Sequence, residues 1–503
     1  MIKNDKFDNS SFDHFAIKKS MVSWQQQSAT AWTELYKEFA TNSQKMSESW
    51  SNALWNTWTS KEGLQSGEIK DNTKKDNTMR ALVLQGGGAI GAFQAGAFKA
   101  LYEKITKEDQ ENGNEGRPLF DIIAGTSIGA INAAVLVSHV LENKTWRGSS
   151  EKLIEFWEYL SCPTPDIIGV SANWKKEHDK NNPNAASVEA ARRYYSVKEF
   201  FKSGVDKVYS PLPPREDEKF FDQENKRVLY DKQPLQKSIE KFVKFPIATN
   251  YGLGEPRLLV ISVDAKEGIP VTFDSYGGIK VQHVMASASL PEFYEYEEID
   301  GRRLWDGGIL SNTPIRELIQ AHGGFWEHKI GSKELENSIL EEASFNVPDL
   351  ELYIVNLWHS NDNIAPSDPD GMTERHRDIK SHDQYYVKES ILLTHYIHLI
   401  ENLIQLGVSK NNNNNNYELK KAINKILQGY TASIDSTETP RKYLDIIKAQ
   451  FEITKIESIE RRDDHDTISA KDGDFTSETI NKLIKDGYES TWRKYSPSII
   501  QHQ

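Results

Sequence analysis

A single cysteine, Cys162, in 503 residues leaves this chain without an internal disulfide framework or a cysteine-based zinc site. Long hydrophobic runs are also missing. The longest weakly apolar stretch, Ile122 to Leu141, is broken by Gly125, Thr126, Ser127, Gly129, Asn132, Ser138 and His139, too polar for a membrane span. There is no basic surplus: 61 Lys and Arg face 74 Asp and Glu, for a net charge of −13. That argues against sequence-independent nucleic-acid binding, which needs a basic face. It also argues against purely electrostatic adhesion to anionic lipid. The first twenty residues lack the apolar core of a secretory signal. No H-E-x-x-H, EF-hand or P-loop pattern occurs, so no metal and no cofactor is expected. The expectation is a cytoplasmic protein, with peripheral membrane contact left open.

Composition divides the chain into three parts. Residues 1–78 hold five of the twelve tryptophans, Trp24, Trp32, Trp50, Trp55 and Trp58. Between residues 21 and 60, Trp32, Tyr36 and Phe39 recur at helical spacing, as do Met46, Trp50 and Leu54, which predicts one or two amphipathic helices before a polar linker. Residues 79–360 alternate apolar strand-like runs with helical patterns, the signature of an α/β fold with a largely parallel sheet. Within them, residues 161–228 are rich in charge, Asn, Pro and Tyr and read as a long irregular insertion, a cap. Residues 361–503 read as a mainly helical C-terminal extension, interrupted by the tract Asn411–Asn416.

Three motifs could carry chemistry. Gly86, Gly87, Gly88 and Gly91 lie between a strand and a helix. Glycines there permit a sharp turn and close approach of backbone to ligand, and a helix N-terminus offers unpaired N–H groups to an anion or oxyanion. The same pattern fits a dinucleotide fingerprint, or a turn with no ligand at all. Gly125-Thr126-Ser127-Ile128-Gly129 also joins a strand to a helix and matches the nucleophile elbow, in which small flanking residues let the turn push Ser127 outward. Its plain alternative is a serine that caps the helix. Asp306-Gly307-Gly308, taken alone, is an ordinary turn.

In this order and context, the three motifs resemble the patatin-like phospholipase family. Ile131-Asn132-Ala133 continues the elbow helix, Ala286-Ser287-Ala288-Ser289-Leu290-Pro291 resembles the family's small-residue segment, and Gly308 through Pro314 looks like its continuation after the aspartate. The resemblance spans about residues 79–360. It implies a three-layer α/β/α sandwich with a mostly parallel central sheet, helical extensions at both ends, and hydrolysis of lipid acyl esters. It further implies Ser127 as nucleophile, Asp306 as general base and the Gly86–Gly88 amides as oxyanion hole, in a dyad without histidine.

A Ser–His–Asp triad is the rival design. Its best histidine is His322 in the stretch AHGG, though a surface histidine near a helix end is the preferred reading. A dinucleotide-binding protein would need an acidic residue about 20 positions after the glycines; Glu103, Glu108, Asp109 and Glu111 all read as helix or loop. A third reading is a catalytically idle scaffold that binds partners through the Trp-rich head. Residues 21–60 are read as binding an apolar surface, through self-association or peripheral membrane contact, because tryptophan favours interfaces; the plain alternative is that they pack on their own catalytic domain. The mixed charges Lys37, Lys45, Glu34, Glu38 and Glu48 favour a coiled-coil-like seam over lipid.

Overall fold

The computed structural model describes residues 78–165, 185–213, 229–291, 293–341, 347–358, 365–367, 369–408, 415–431, 440–462, 468 and 470–495. The amphipathic helices expected at 21–60 lie outside the described residues. The strands are β1 (Thr78–Leu84), β2 (Ile122–Thr126), β3 (Ser210–Pro211), β4 (Tyr230–Asp231), β5 (Arg257–Asp264), β6 (Ile269–Asp274), β7 (Glu297–Ile299), β8 (Arg302–Asp306), β9 (Asp349–Asn356) and β10 (Ile453–Glu460). The helices used below are α1 (Ala92–Glu111), α2 (Ile128–Asn143), α3 (Ser149–Leu160), α4 (Ala185–Ser203), α5 (Gln233–Phe242), α6 (Val281–Ser287), α7 (Ile315–Ile330), α8 (Ser332–Glu341), α9 (Pro369–Ser381), α10 (Gln384–Val408) and α11 (Ser477–Tyr495).

Eight of these strands form one mixed sheet in the order β10-β9-β1-β2-β5-β8-β7, with β6 also paired to β5. The strands from β10 to β5 run parallel, whereas β6 and β8 run antiparallel to β5. A parallel strand covered on both faces reads as a continuous apolar run, and every residue of β5, RLLVISVD, is buried. Period-two alternation sends Leu82 and Leu84 into one core and Ala81 and Val83 into the other. Phe93 and Phe98 of α1, Ala134 of α2 and Trp157 of α3 fill the first. Ile315, Leu318 and Trp326 of α7, with Leu335 of α8, fill the second. The result is the three-layer α/β/α sandwich.

Two expectations need correction. Residues 161–228 are not irregular throughout: the chain is helical from Ala185 to Ser203, and β3 pairs with β4 in a small separate ribbon. Nor does the sheet stop at residue 360. β10 pairs in parallel with β9, and α11 lies along α1, so the C-terminal residues complete the same body.

The α1–α11 contact depends on two glycines that face each other's backbone. A β-carbon at Gly96 would sit 1.8 Å from the Ile484 carbonyl oxygen, and one at Gly487 would sit 2.0 Å from that of Phe93. Neither position has room for a methyl group unless the helices part. Overpacking a well-filled core costs about 1–3 kcal/mol and sometimes more. Gly96→Ala and Gly487→Ala are each expected to lower stability by at least about 2 kcal/mol. Urea unfolding checks this, and an unchanged midpoint would contradict the tight crossing.

Candidate active site

The motif residues collect at one end of the sheet because of strand register. Leu84 of β1 is level with Gly125 of β2, and Thr126 is level with Ile261 of β5. The next position on β5, Ser262, pairs with Asp306 of β8. Ser127 and Asp306 therefore leave the sheet at the same height, with β5 between them. At about 4.8 Å per strand, two spacings put their backbones about 10 Å apart. They line a single cavity of about 300 Å³, together with Gly86, Gly87, Gly88 and Gly308.

Ser127 sits at φ 55° and ψ −126°, a conformation L-residues avoid. The neighbouring glycines allow this bend. A β-carbon at Gly125 would fall 2.4 Å from the Gly129 carbonyl carbon, and one at Gly129 would fall 2.1 Å from the Leu84 carbonyl oxygen. The serine is further held through its backbone. Its N–H donates to Ser287 Oγ at 2.9 Å, and that hydroxyl donates to the Ile261 carbonyl at 2.5 Å. Ser127 makes no side-chain capping bond to α2.

The glycine loop rests on buried polar side chains. The Gln85 carboxamide oxygen accepts from the N–H groups of Leu357 and Trp358, and its nitrogen donates to Thr313 Oγ1. Gln94 donates to the Gln85 carbonyl, Asn132 donates to Gln94 and to the Gly91 carbonyl, and Trp157 donates to Asn132. The Gly86 carbonyl accepts from Trp358 Nε1 at 2.7 Å and from Asn312 Nδ2 at 3.2 Å. Because a trans peptide is planar, the Gly87 N–H then points the opposite way. No described residue accepts from the Gly87 or Gly88 N–H. Gly88 takes φ 52°, and a β-carbon there would meet the Asp472 carbonyl oxygen at 2.5 Å.

Gly91 is not part of this cavity. A β-carbon there would press on Ile128 at 2.8 Å, so it is a packing glycine under the elbow. Gly307 likewise packs, against the Ile261 carbonyl. Asp306 is buried, accepts from the Gly308 N–H at 2.7 Å, and donates its own N–H to the Ser289 carbonyl. The segment Ala286–Pro291 thus fastens both reactive candidates, Ser127 through Ser287 and Asp306 through Ser289.

A second chamber, about 110 Å³ in volume, shares Ser127, Gly88 and Arg377 with the first and is mainly apolar. Leu160, Phe201, Val208, Tyr209, Leu235 and Phe475 contribute to its walls. Three of these belong to the 161–228 insertion. The cavity also contains residues that no motif revealed: Trp358, His376, Arg377, Lys380 and Asp472. His322, expected near the surface, is instead buried, bonded to the Pro348 carbonyl and held down to about 4 by burial. It does not line the cavity, and neither does His283, which stacks on Phe273. The dinucleotide alternative fares no better. Asp109 is ion-paired to Arg80 at 2.5 Å on α1, not free at a strand end.

The mixed sheet and the strand–turn–helix after β2 define an α/β protein whose candidate site lies beyond the carboxyl ends of β1 and β2. Residues 82–319 match the family model for patatin-like phospholipase. No curated protein matches the sequence. Among solved structures the chain is similar to VipD from Legionella pneumophila, with 13% identity and a TM-score of 0.28. That similarity covers 83% of this chain and 66% of VipD, just under two thirds of the latter's length.

Asp383 secures the loop after Asp306, accepting from the Thr313 N–H at 2.7 Å and the Thr313 hydroxyl at 2.5 Å. Burial, the largest influence, pushes its carboxyl up to about 6 from an ordinary 3.8. The folded state therefore holds this proton more tightly than the unfolded one. Its favourable contribution is complete below about pH 4 and is lost as pH rises through about 6. Asp383→Asn removes that titration, so the variant should gain on wild type as pH rises from 4.5 to 7.5. Urea midpoints at the two pH values check this; a constant difference contradicts it.

Proposed function

We propose that this chain is a serine lipid acyl hydrolase, of phospholipase A or esterase type, working through a Ser127–Asp306 dyad and a Gly86–Gly88 oxyanion hole. The observation that carries the reading is that Ser127, Asp306 and the glycine loop line one cavity where it meets an apolar chamber. A serine hydroxyl is a weak nucleophile until a positioned base takes its proton. In the proposed cycle, Asp306 accepts that proton as Ser127 Oγ bonds to the ester carbonyl carbon. The carbonyl oxygen becomes an oxyanion facing the glycine amides, where one well-placed donor is worth about 3–4 kcal/mol. Collapse of the intermediate breaks the ester C–O bond, and the alcohol leaves with the proton from Asp306. Water, deprotonated by Asp306, then attacks the acyl-enzyme carbonyl; the C–Oγ bond breaks, and Ser127 Oγ takes the proton back from Asp306 as the fatty acid is released. The apolar chamber suits the acyl chain.

No helix among the described residues is long and apolar enough to cross a membrane. On this reading the substrate is reached from outside the bilayer, by peripheral contact.

Ser127→Ala should abolish both ester hydrolysis and labelling by a fluorophosphonate, with folding intact by circular dichroism. More than a few per cent residual turnover would remove Ser127 from its role. Asp306→Asn should cost about 10²–10⁴-fold in kcat, the usual worth of a general base, and wild-type activity should decline at acid pH. His376 is the discriminating control, because it lines the cavity. A loss with His376→Ala as large as that of Asp306→Asn would replace the dyad with a triad.

The proposed chemistry uses only side chains and backbone amides. Hydrolysis of a soluble short-chain ester should therefore survive excess EDTA. A complete loss reversed by calcium would contradict this mechanism.

A further inference from the structure

The cavity around Ser127 has two unlike sides, and its polar side is built by residues beyond the family match at 82–319. Helix α9 supplies most of it. Thr373, His376, Arg377 and Lys380 follow the spacing i, i+3, i+4, i+7, which places them on one face, and all four line the cavity. The adjacent face carries Glu374 and Asp378, both buried. They grip the fully buried Lys471, with Nζ at 2.8 Å from Glu374 and 2.9 Å from Asp378. This buried clamp fixes the rotation of α9, and therefore which face looks into the cavity.

We propose that Arg377 and Lys380 form a subsite for the phosphodiester of a phospholipid, which deepens the reading of Ser127 as the nucleophile of an ester hydrolase. Arg377 is held at the wall by Asp472 at 2.5 Å and borders both chambers, as Ser127 does. A guanidinium presents a planar fork of donors that matches phosphate oxygens, and a lysine adds a point charge. The acidic groups on the neighbouring face of α9 are occupied by Lys471, and Asp472 is occupied by Arg377. Lys380 is exposed and makes no ion pair among the described residues, so its ammonium is available at the cavity wall. A phospholipid presents a scissile ester, an acyl chain and a phosphodiester within a few bonds of one another. Around Ser127 the same three needs are met by a nucleophile, an apolar chamber and a wall that carries Arg377 and Lys380.

The test separates binding from turnover. In the Ser127→Ala background, calorimetry would measure dihexanoylphosphatidylcholine and dihexanoylglycerol below their aggregation limits, with and without Lys380→Ala or Arg377→Ala. Either wall substitution should weaken the phospholipid relative to the neutral lipid by tenfold or more. Lys380→Glu should weaken the phospholipid further still. Because Lys380 is exposed, its variants keep the test valid if Arg377→Ala does not fold. In the otherwise wild-type enzyme, the ratio of kcat/KM for the two lipids should fall by the same factor. Equal losses on both lipids, or none, would overturn the subsite. Inorganic phosphate distinguishes the source of the anion: binding weaker than the phospholipid's supports a headgroup site, and tighter binding overturns it. Should the enzyme hydrolyse no ester while the binding preference holds, the hydrolase reading fails and the subsite stands.

Discussion

The site depends on a backbone-to-backbone contact between the start of α2 and the end of β1. With the Gly129 β-position only 2.1 Å from the Leu84 carbonyl oxygen, no side chain can stand between them. That proximity lets β2 turn into α2 directly above the point where β1 opens into the glycine loop. It also sets Gly86 against Ser127: a β-carbon on Gly86 would lie 3.0 Å from the serine's own. The serine and the loop are thus brought together by the absence of side-chain atoms. A conformation like that of Ser127 costs on the order of 1–3 kcal/mol and persists only where its surroundings over-determine it. Here the glycine contacts, the Ser287 bond to its N–H and the start of α2 all act on the same residue.

Under that contact lies a polar layer inside an apolar core. Gln85, Gln94 and Asn132 are fully buried, and each has hydrogen-bonding partners. A buried carboxamide left without partners would be costly, so these side chains admit few alternative arrangements. Their bonds end on the backbone of Gln85, Gly91, Leu357 and Trp358, which anchors both ends of the glycine turn. A loop with little side-chain packing of its own is in this way made stiff, and stiffness is what backbone amides need if they are to stabilise charge without reorganising.

The motifs were legible in the sequence because each combines glycine with strand–turn–helix punctuation. The sheet from β1 to β5 was legible because buried parallel strands are nearly all apolar. The C-terminal strand was not. In β10, Ile453, Ile456 and Ile459 are spaced by three, which imitates a helix, and the charged residues between them fit a helical surface. The actual strand has a register irregularity between Ile453 and Lys455, so the period of two never appears cleanly. The crossing of α1 and α11 was hidden for another reason. Gly96 and Gly487 are ordinary isolated glycines until the fold sets each against the other helix's backbone. His322 was misplaced because the glycines after it, Gly323 and Gly324, read as a helix end, whereas α7 continues through them to Ile330.

The cavity is likewise non-local, because part of its lining lies beyond the family match at 82–319. Gly88, in the loop after β1, lies against the Asp472 carbonyl, far along the chain. Asp472 in turn holds Arg377, and its neighbour Lys471 holds α9. The glycine loop is therefore held partly by residues of the matched stretch, such as Gln94 and Asn132, and partly by residues outside it, such as Trp358 and Asp472. A change in the wall outside the match can alter the shape and charge that a substrate meets while leaving Ser127, Asp306 and their supports in place. On the proposed reading, one nucleophile could be kept while the wall that meets the substrate is varied in a different stretch of chain.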